Sequence, residues 1–171
     1  MLFRSATSAA NAPDPKDKLP EYCLYEQALS DQYAGNFEAA IAIFRKVVAQ
    51  DPHNTLARYS LGDSYLRARH PDEAIREWTA TLQFDPEYAP ADEAIGAVWM
   101  AREQWAKARP YFLQALAVAP QDGTALLQLG IAEARLSMWQ QSVDHLTAAC
   151  NQLPDSTQCQ QELTNAKKAG H

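Results

Sequence analysis

Cysteine, histidine and clustered basic residues are scarce in this chain, and long apolar runs are missing. The 171 residues include three cysteines, none in CxxC spacing, and four scattered histidines, so no zinc-binding pattern is present. No apolar run approaches the roughly 18 residues of a membrane-spanning helix, so we predict no membrane insertion. The formal charge is −6 without any lysine or arginine cluster, which disfavours nucleic acid and anionic membranes as partners.

Catalytic motifs are also missing. The sequence has no GxSxG, no phosphate-binding glycine loop and no HExxH. His53, His70 and His145 lie near predicted helix ends or on a polar face, and none has a recurring carboxylate or cysteine beside it. The carboxylates are spread along predicted solvent faces. We therefore predict that the chain is not an enzyme and needs no cofactor.

The strongest feature of the sequence is a repeat of 34 residues. Four prolines recur at this spacing, together with a small residue and a large apolar residue at fixed offsets, which is the pattern of a helical array. The prolines are Pro52, Pro86, Pro120 and Pro154. The small residues include Gly62, Gly96 and Gly130, and the large ones include Phe44, Trp78 and Phe112. Glycine is poor in a helix interior, so we expect another helix to approach closely there and the large residues to fill the space between successive units.

This pattern resembles the tetratricopeptide repeat, a helix–turn–helix unit with a closing proline. The resemblance implies an all-α fold, a right-handed superhelical α-solenoid of stacked units at 21–54, 55–88, 89–122 and 123–156. The predicted helices are 21–34, 37–50, 55–67, 71–84, 89–101, 105–118, 123–136 and 139–152. A polar capping helix at 157–168 and a short tail at 169–171 complete the chain. Pro110 lies inside the sixth helix, where it should remove one backbone hydrogen bond and kink the helix.

The resemblance also implies where a partner binds. The first helix of each unit would line a concave face, exposing its second, fifth, sixth, ninth, twelfth and thirteenth residues. The candidate groove residues are Tyr22, Tyr25, Leu29, Tyr59, Asp63, Leu66, Met100, Leu127 and Ile131. Because this set is mostly apolar and aromatic, we predict a protein or peptide partner. Aromatic residues at helical spacing are also typical of a core, so packing between helices is the alternative for the tyrosines.

Some family members grip a C-terminal carboxylate with lysine, asparagine and arginine on the first three units. Here those positions carry Tyr25, Leu29, Ser60, Pro90 and Ala94. None of these side chains donates the charge-assisted hydrogen bonds that a carboxylate needs. We therefore exclude that mode of binding.

Two alternatives exist for the C-terminal cysteines. Cys150 ends the last repeat helix and Cys159 begins the capping helix, so a chain reversal would bring their Cα atoms within about 4.4–6.8 Å, the range of a disulfide. A disulfide would indicate an oxidising compartment. Alternatively, both are buried thiols that pack as small apolar residues. Cys23 has no predicted partner.

The first 19 residues have no apolar period and are predicted to be a flexible segment or linker. Residues 14–19 resemble the linker between a sulfatase-like hydrolase domain and a repeat tail in some secreted bacterial proteins. Residues 2–5 resemble a translated sequencing adapter. If they are one, the natural N-terminus and any upstream domain of the same polypeptide are missing, and the location is periplasmic or secreted. The default prediction is a cytoplasmic location, since no signal peptide is visible.

Three functional hypotheses arise from the repeat and the N-terminal segment. The first is a non-catalytic scaffold that binds a protein or peptide in its concave groove. The second is the C-terminal tail of a larger secreted sulfatase-like hydrolase, whose upstream domain would cover the first unit. The third is a self-association module that pairs through the end faces of the stack.

Overall fold

Nine α-helices and short turns make up the part of the chain that the computed structural model describes, residues 21–170, with the side chains of 23–170. They are α1 Glu21–Tyr33, α2 Phe37–Gln50, α3 Thr55–Arg67, α4 Pro71–Phe84, α5 Ala89–Ala101, α6 Trp105–Val118, α7 Gly123–Arg135, α8 Trp139–Gln152 and α9 Thr157–Ala169. The observed bounds differ from the predicted ones by one residue, at the ends of α1, α7 and α9. The predictions for residues 1–19, for the Tyr22 side chain and for the last residue lie outside the described residues.

The helices form an all-α solenoid of two layers. Each helix packs on the one before it and the one after it. In addition α1 contacts α3, α5 contacts α7 and α7 contacts α9, so the odd-numbered helices form one layer and the even-numbered helices form the other. The inner layer is therefore built from the first helix of each pair, with α9 in line after α7.

Glycine lets the two helices of a unit approach closely. A Cβ atom built on Gly62 would lie 2.6 Å from Trp78 Cδ1, and one on Gly96 would lie 2.8 Å from Phe112 Cζ. In the last unit, a Cβ on Gly130 would lie 2.6 Å from Leu146 Cγ. These large residues are at most 1% exposed. Trp78 and Phe112 share core clusters with the next unit, as Phe112 does with Leu129, and Leu146 shares one with α9. Each therefore fills space between its own unit and the element that follows.

The repeated prolines lie in exposed turns that connect one unit to the next. In each turn a backbone N–H donates to the carbonyl three residues earlier, at 3.0–3.2 Å; the donors are Asn54, Tyr88, Asp122 and Ser156. The side chains of Asn54, Asp122 and Ser156 also accept hydrogen bonds from the first turn of the following helix. Three of the four junctions therefore carry a side-chain cap that helps start the next helix.

The turn inside each unit ends the first helix through one residue with a left-handed backbone. These residues are Gly35, Arg69, Glu103 and Ser137, with φ between 56° and 81°. The residue after each donates to the carbonyl five positions earlier, as Met138 N does to Glu133 O at 2.9 Å. The turn geometry is thus kept in the three units where glycine is absent.

Pro110 is the sixth residue of α6, which continues from Trp105 to Val118 as one helix. Without an N–H, Pro110 leaves the carbonyl of Ala106 without its usual intrahelical donor. The helix absorbs this loss without ending.

A buried carboxylate joins the third and fourth units. Glu133 on α7 has a fully buried side chain, and its two oxygens face two different helices. Arg109 Nε on α6 donates to Oε1 at 3.0 Å, and His145 Nδ1 on α8 lies 2.7 Å from Oε2. The hydrogen bond with Glu133 raises the pKa of His145, although burial opposes this effect. The three side chains tie together three successive helices.

The capping helix α9 packs on α8 and also contacts α7. Cys159 is fully buried, and its sulfur is joined to that of Cys150 in a disulfide with the Cα atoms 5.6 Å apart. The bridge links the last turn of α8 to the first turn of α9. Cys23, at the other end of the described residues, is exposed and free.

Candidate functional site

A cavity of about 510 Å³ opens on the inner layer, where α3, α5 and α7 follow one another. Its walls are mainly apolar, with a few polar groups from α5 and α7. The lining residues are Tyr59, Pro90, Glu93, Ala94, Ala97, Met100, Phe112, Thr124, Ala125 and Gln128. We call this cavity the inner groove. A concave, largely apolar surface with few polar groups is typical of a binding site.

The inner groove carries negative charge. Glu93 is the one lining residue with a formal charge, and no lysine or arginine lines the cavity. Burial raises the pKa of Glu93, and the neighbouring carboxylates of Asp122 and Asp92 raise it further. A second carboxylate brought by a ligand would meet repulsion here, whereas a cation or an N–H donor would be attracted.

Tyr59 combines packing with a position in the groove wall. Its ring lies edge-to-face on the Tyr88 ring, with the ring centroids 5.4 Å apart. The centroid of the Trp78 ring is 6.3 Å away, and the two ring planes are inclined by 35°. Trp78 Nε1 donates to the Tyr59 carbonyl at 3.1 Å. Burial, together with Asp63, raises the pKa of the Tyr59 hydroxyl, so it stays protonated and able to donate. Both alternatives drawn from the sequence, core packing and groove lining, therefore apply to this residue.

The groove closes towards the first unit. Tyr25 packs edge-to-face on Phe44 at 5.7 Å, and its hydroxyl lies 3.5 Å from Ser60 Oγ. Leu29 packs against the core cluster that contains Phe44. These contacts use Tyr25 and Leu29 to join α1 to its neighbours, so they offer a partner less free surface than was expected.

Asp63 is held in a polar network between α1 and α3. Gln32 Nε2 donates to Asp63 Oδ2 at 2.7 Å, and Arg67 Nε donates to the same oxygen at 2.9 Å. Leu66, on the same helix, is 37% exposed and does not line the inner groove. Of the predicted groove residues with described side chains, Tyr59 and Met100 line this cavity.

Two predicted groove residues are buried instead. Leu127 and Ile131 on α7 are 5% and 8% exposed. They belong to the same core cluster as Cys159 and Ala166 of α9. The capping helix occupies the position that a fifth repeat would take, and it covers the α7 surface on which the prediction relied.

The sequence profile of the tetratricopeptide repeat family matches residues 25–90 and 100–157, which is more than half of the chain. The chain belongs to the tetratricopeptide repeat family. No curated protein matches the sequence at a significant level.

Solved tetratricopeptide structures share the fold at low sequence identity. A crystal structure of MamA aligns with TM-score 0.81 and 19% identity over 87% of this chain and 81% of that one. MamA from Desulfovibrio magneticus RS-1 aligns with TM-score 0.80 and 20% identity over 88% and 86% of the two chains. YrrB, described as a tetratricopeptide protein with an unusual peptide-binding site, aligns with TM-score 0.76 and 22% identity over 89% and 79%.

Several lining residues of this tetratricopeptide groove fall on the predicted concave positions but are not among the candidate groove residues. Pro90, Glu93, Ala94 and Ala97 occupy concave positions of the third unit beside Met100. The candidate groove residues are mostly large apolar and aromatic side chains, whereas the cavity also depends on small residues that create its space and on a carboxylate that gives it charge. The small size of the α5 side chains was the signal that would have located the cavity.

The described part of this tetratricopeptide chain also bears on metal binding and on membrane-spanning helices. Histidine, cysteine and carboxylate side chains of residues 23–170 do not gather in a group of three or more that would hold a metal ion. Among the described helices, none combines the length and apolar character needed to cross a bilayer.

Proposed function

We propose that the protein is a non-catalytic scaffold that binds a segment of a partner protein in the inner groove. The observation that carries this proposal is the cavity of about 510 Å³ between three successive first helices, with apolar walls and one carboxylate. The ionisable lining groups are Glu93 and Tyr59, without histidine, cysteine or a second carboxylate. Acid–base or nucleophilic catalysis needs a converging set of such groups, and this lining does not supply one.

The residues that line the inner groove indicate which partner side chains would bind there. Apolar side chains of the partner would pack against Met100, Ala94 and Ala97, while Glu93 would accept from a lysine, an arginine or a backbone N–H. A C-terminal carboxylate finds no cation in the lining. The fold neighbour YrrB is described as having a peptide-binding site, which supports the proposal by analogy.

The test is a selection from a phage-displayed peptide library, followed by fluorescence anisotropy with the selected peptides. Ala97 is exposed and lines the groove, so Ala97→Arg fills the cavity and places a cation beside Glu93. Ala106 is exposed on α6 outside the groove, so Ala106→Arg is the matched control. We expect apolar peptides with a basic residue to bind the wild type and the control, and to lose affinity for Ala97→Arg. Equal binding to all three proteins would place the peptide elsewhere and contradict the proposal.

The disulfide favours a second candidate, a tail on a larger exported protein. Disulfides such as Cys150–Cys159 persist in oxidising compartments and are rare in the cytosol. The test is the genomic sequence upstream of the codon for Met1. An open reading frame that continues into a hydrolase domain would support the tail, and an in-frame stop codon would refute it.

A further inference from the structure

The fourth residue of the first helix differs sharply among the units. It is Leu24, Arg58, Asp92 and Leu126 in chain order. Leu126 is 6% exposed and fills its site as part of the core. Arg58 and Asp92 are charged residues at the same position of the repeat, but their charges have opposite signs and their surroundings differ.

In the second unit this position is occupied by the positively charged side chain of Arg58. Arg58 Nη1 donates to Glu77 Oε2 at 2.9 Å, and Nη2 donates to the Pro52 carbonyl at 3.0 Å. The guanidinium carbon lies 5.5 Å from the centre of the Phe84 ring. The side chain is 13% exposed, so carboxylate, carbonyl and apolar wall enclose the guanidinium, of which Nε alone is buried without a hydrogen-bond partner.

In the third unit the same place holds a carboxylate and an empty volume. Asp92 is 2% exposed, and its Oδ1 has no hydrogen-bond partner. The residue lines a cavity of about 460 Å³ with Leu82, Pro86, Glu87, Gln114, Ala117 and Val118. We call this the outer cavity. A buried carboxylate oxygen without a hydrogen-bond partner is costly, so a donor placed in the cavity would lower the energy of the site.

Comparing the second and third units shows which parts of the Arg58 surroundings recur around the outer cavity. Pro86 and Val118 lie 34 residues after Pro52 and Phe84, so the outer cavity keeps an equivalent proline and apolar wall. Glu87 adds a second carboxylate at its rim. No lysine or arginine lines the cavity, although it lies beside Asp92, which stands 34 residues after Arg58.

We propose that the outer cavity is a receptor site for one arginine side chain of a partner protein, with the guanidinium paired to Asp92. The planar guanidinium carries several donors, so it can bond a carboxylate in two places and still reach the Pro86 carbonyl or Glu87. Its aliphatic stem would lie against Leu82 and Val118, as apolar stems do when the charged head is bound elsewhere. Burial also raises the pKa of Asp92 to about 6, which agrees with a carboxylate that has no cation beside it.

The outer cavity shares no lining residue with the inner groove. It lies between α4, α5 and α6, and the groove lies along α3, α5 and α7. The two sites can therefore be tested separately, and failure of one proposal leaves the other standing.

The probe is the peptide acetyl-Gly-Arg-Gly-amide, compared with the same peptide carrying citrulline, which has the shape of arginine without its charge. Binding is followed by NMR titration of the backbone amides of isotope-labelled protein. We expect the arginine peptide to shift the amides of Asp92 and Val118, and Asp92→Asn to weaken its affinity by about tenfold or more, since a buried charge pair loses one partner. Asp155→Asn is the matched control, because Asp155 is an exposed carboxylate two repeats after Glu87.

A second variant guards against loss of folding. Asp92→Leu places at this position the residue that Leu126 already supplies in the next unit, so it should fold and should not bind the probe. Equal shifts with citrulline, unchanged binding by Asp92→Asn, or no shift at the cavity would each overturn the proposal. A lysine peptide that binds as tightly as the arginine peptide would refute the choice of guanidinium. Self-association that Asp92→Leu abolishes would assign the cavity to a second copy of this chain instead.

Discussion

Replacing Asp92 by asparagine should raise the free energy of unfolding at neutral pH and have little effect in acid. Burial raises the pKa of Asp92 from its ordinary value of 3.8 to about 6, so the folded state holds its proton where the unfolded state has lost it. The folded protein is therefore penalised as pH rises through this window, and the penalty is complete above about pH 6. The raised pKa corresponds to about 3 kcal/mol, since each unit is worth about 1.4 kcal/mol.

The cavity beside Asp92 reduces this figure. The carboxylate lines a space of about 460 Å³ that opens to solvent, so water can reach it in part. We therefore expect Asp92→Asn to stabilise the fold by about 1–3 kcal/mol at pH 7. Glu87, Glu93 and Asp122 are the other carboxylates near this site, and Gln114 on α6 is neutral. Removing the charge of Asp92 also relieves part of the raised pKa of Glu93, and this acts in the same direction, since it too favours the variant as pH rises.

The assay is urea unfolding followed by circular dichroism, at several values between about pH 4 and pH 8. The stability difference between Asp92→Asn and wild type should grow from near zero at the acid end to a plateau above about pH 6. The exposed carboxylate variant Asp155→Asn should give a small difference with no such rise. A difference that is constant with pH, or larger in acid, would refute the argument that burial of the charge is the cause.

Three further predictions concern the core. Glu133→Gln should cost about 1–3 kcal/mol at pH 6, because it breaks charged hydrogen bonds. Glu133 raises the pKa of His145, so the ion pair stabilises the fold fully below the pKa that His145 has in the unfolded state, and this stabilisation is lost as pH rises through its pKa in the folded state. The loss of unfolding free energy caused by Glu133→Gln in urea should therefore be smaller at about pH 8.5. Equal losses at the two pH values would contradict this. Phe112→Ala should cost about 3–5 kcal/mol in a denaturant melt, and a loss below about 1 kcal/mol would contradict its place in the core. Denatured, unreduced protein should show one free thiol of three, and reducing Cys150–Cys159 should cost about 2–3 kcal/mol; three free thiols would refute the bridge.

The helices were predictable because their ends carry local signals. Pro120 lies two residues after the last residue of α6, and Asp122 caps α7 with a side chain suited to that position. The glycine at position 96 indicated a close helix contact, which the structure places against Phe112. These signals need only neighbouring residues or one repeat period, so they could be read from the sequence alone.

The groove was harder to predict because its shape depends on the packing of α9 and on small side chains. Leu127 and Ile131 fall on concave positions of the repeat, but α9 covers them, and its mostly polar sequence gave no sign of which face would pack. Glu93 falls on a predicted concave position, but nothing in the sequence indicates that burial would raise its pKa. Asp92 can be located in the repeat frame, yet nothing in the sequence indicates that its Oδ1 lacks a hydrogen-bond partner, since that depends on side chains of α4 and α6.

Asp92 and Glu93 are adjacent on α5, and a helix turns by about 100° per residue, so their side chains enter different cavities. They nevertheless affect each other, since the charge of Asp92 contributes to the raised pKa of Glu93. A guanidinium bound at Asp92 would cancel part of the negative potential at Glu93 and weaken the attraction of the groove for a basic peptide. By linkage, a basic peptide in the groove would weaken arginine binding in the outer cavity by the same factor. Neutral peptides should escape this coupling, so its presence for basic peptides alone would show that it is electrostatic rather than a change in the packing of α5.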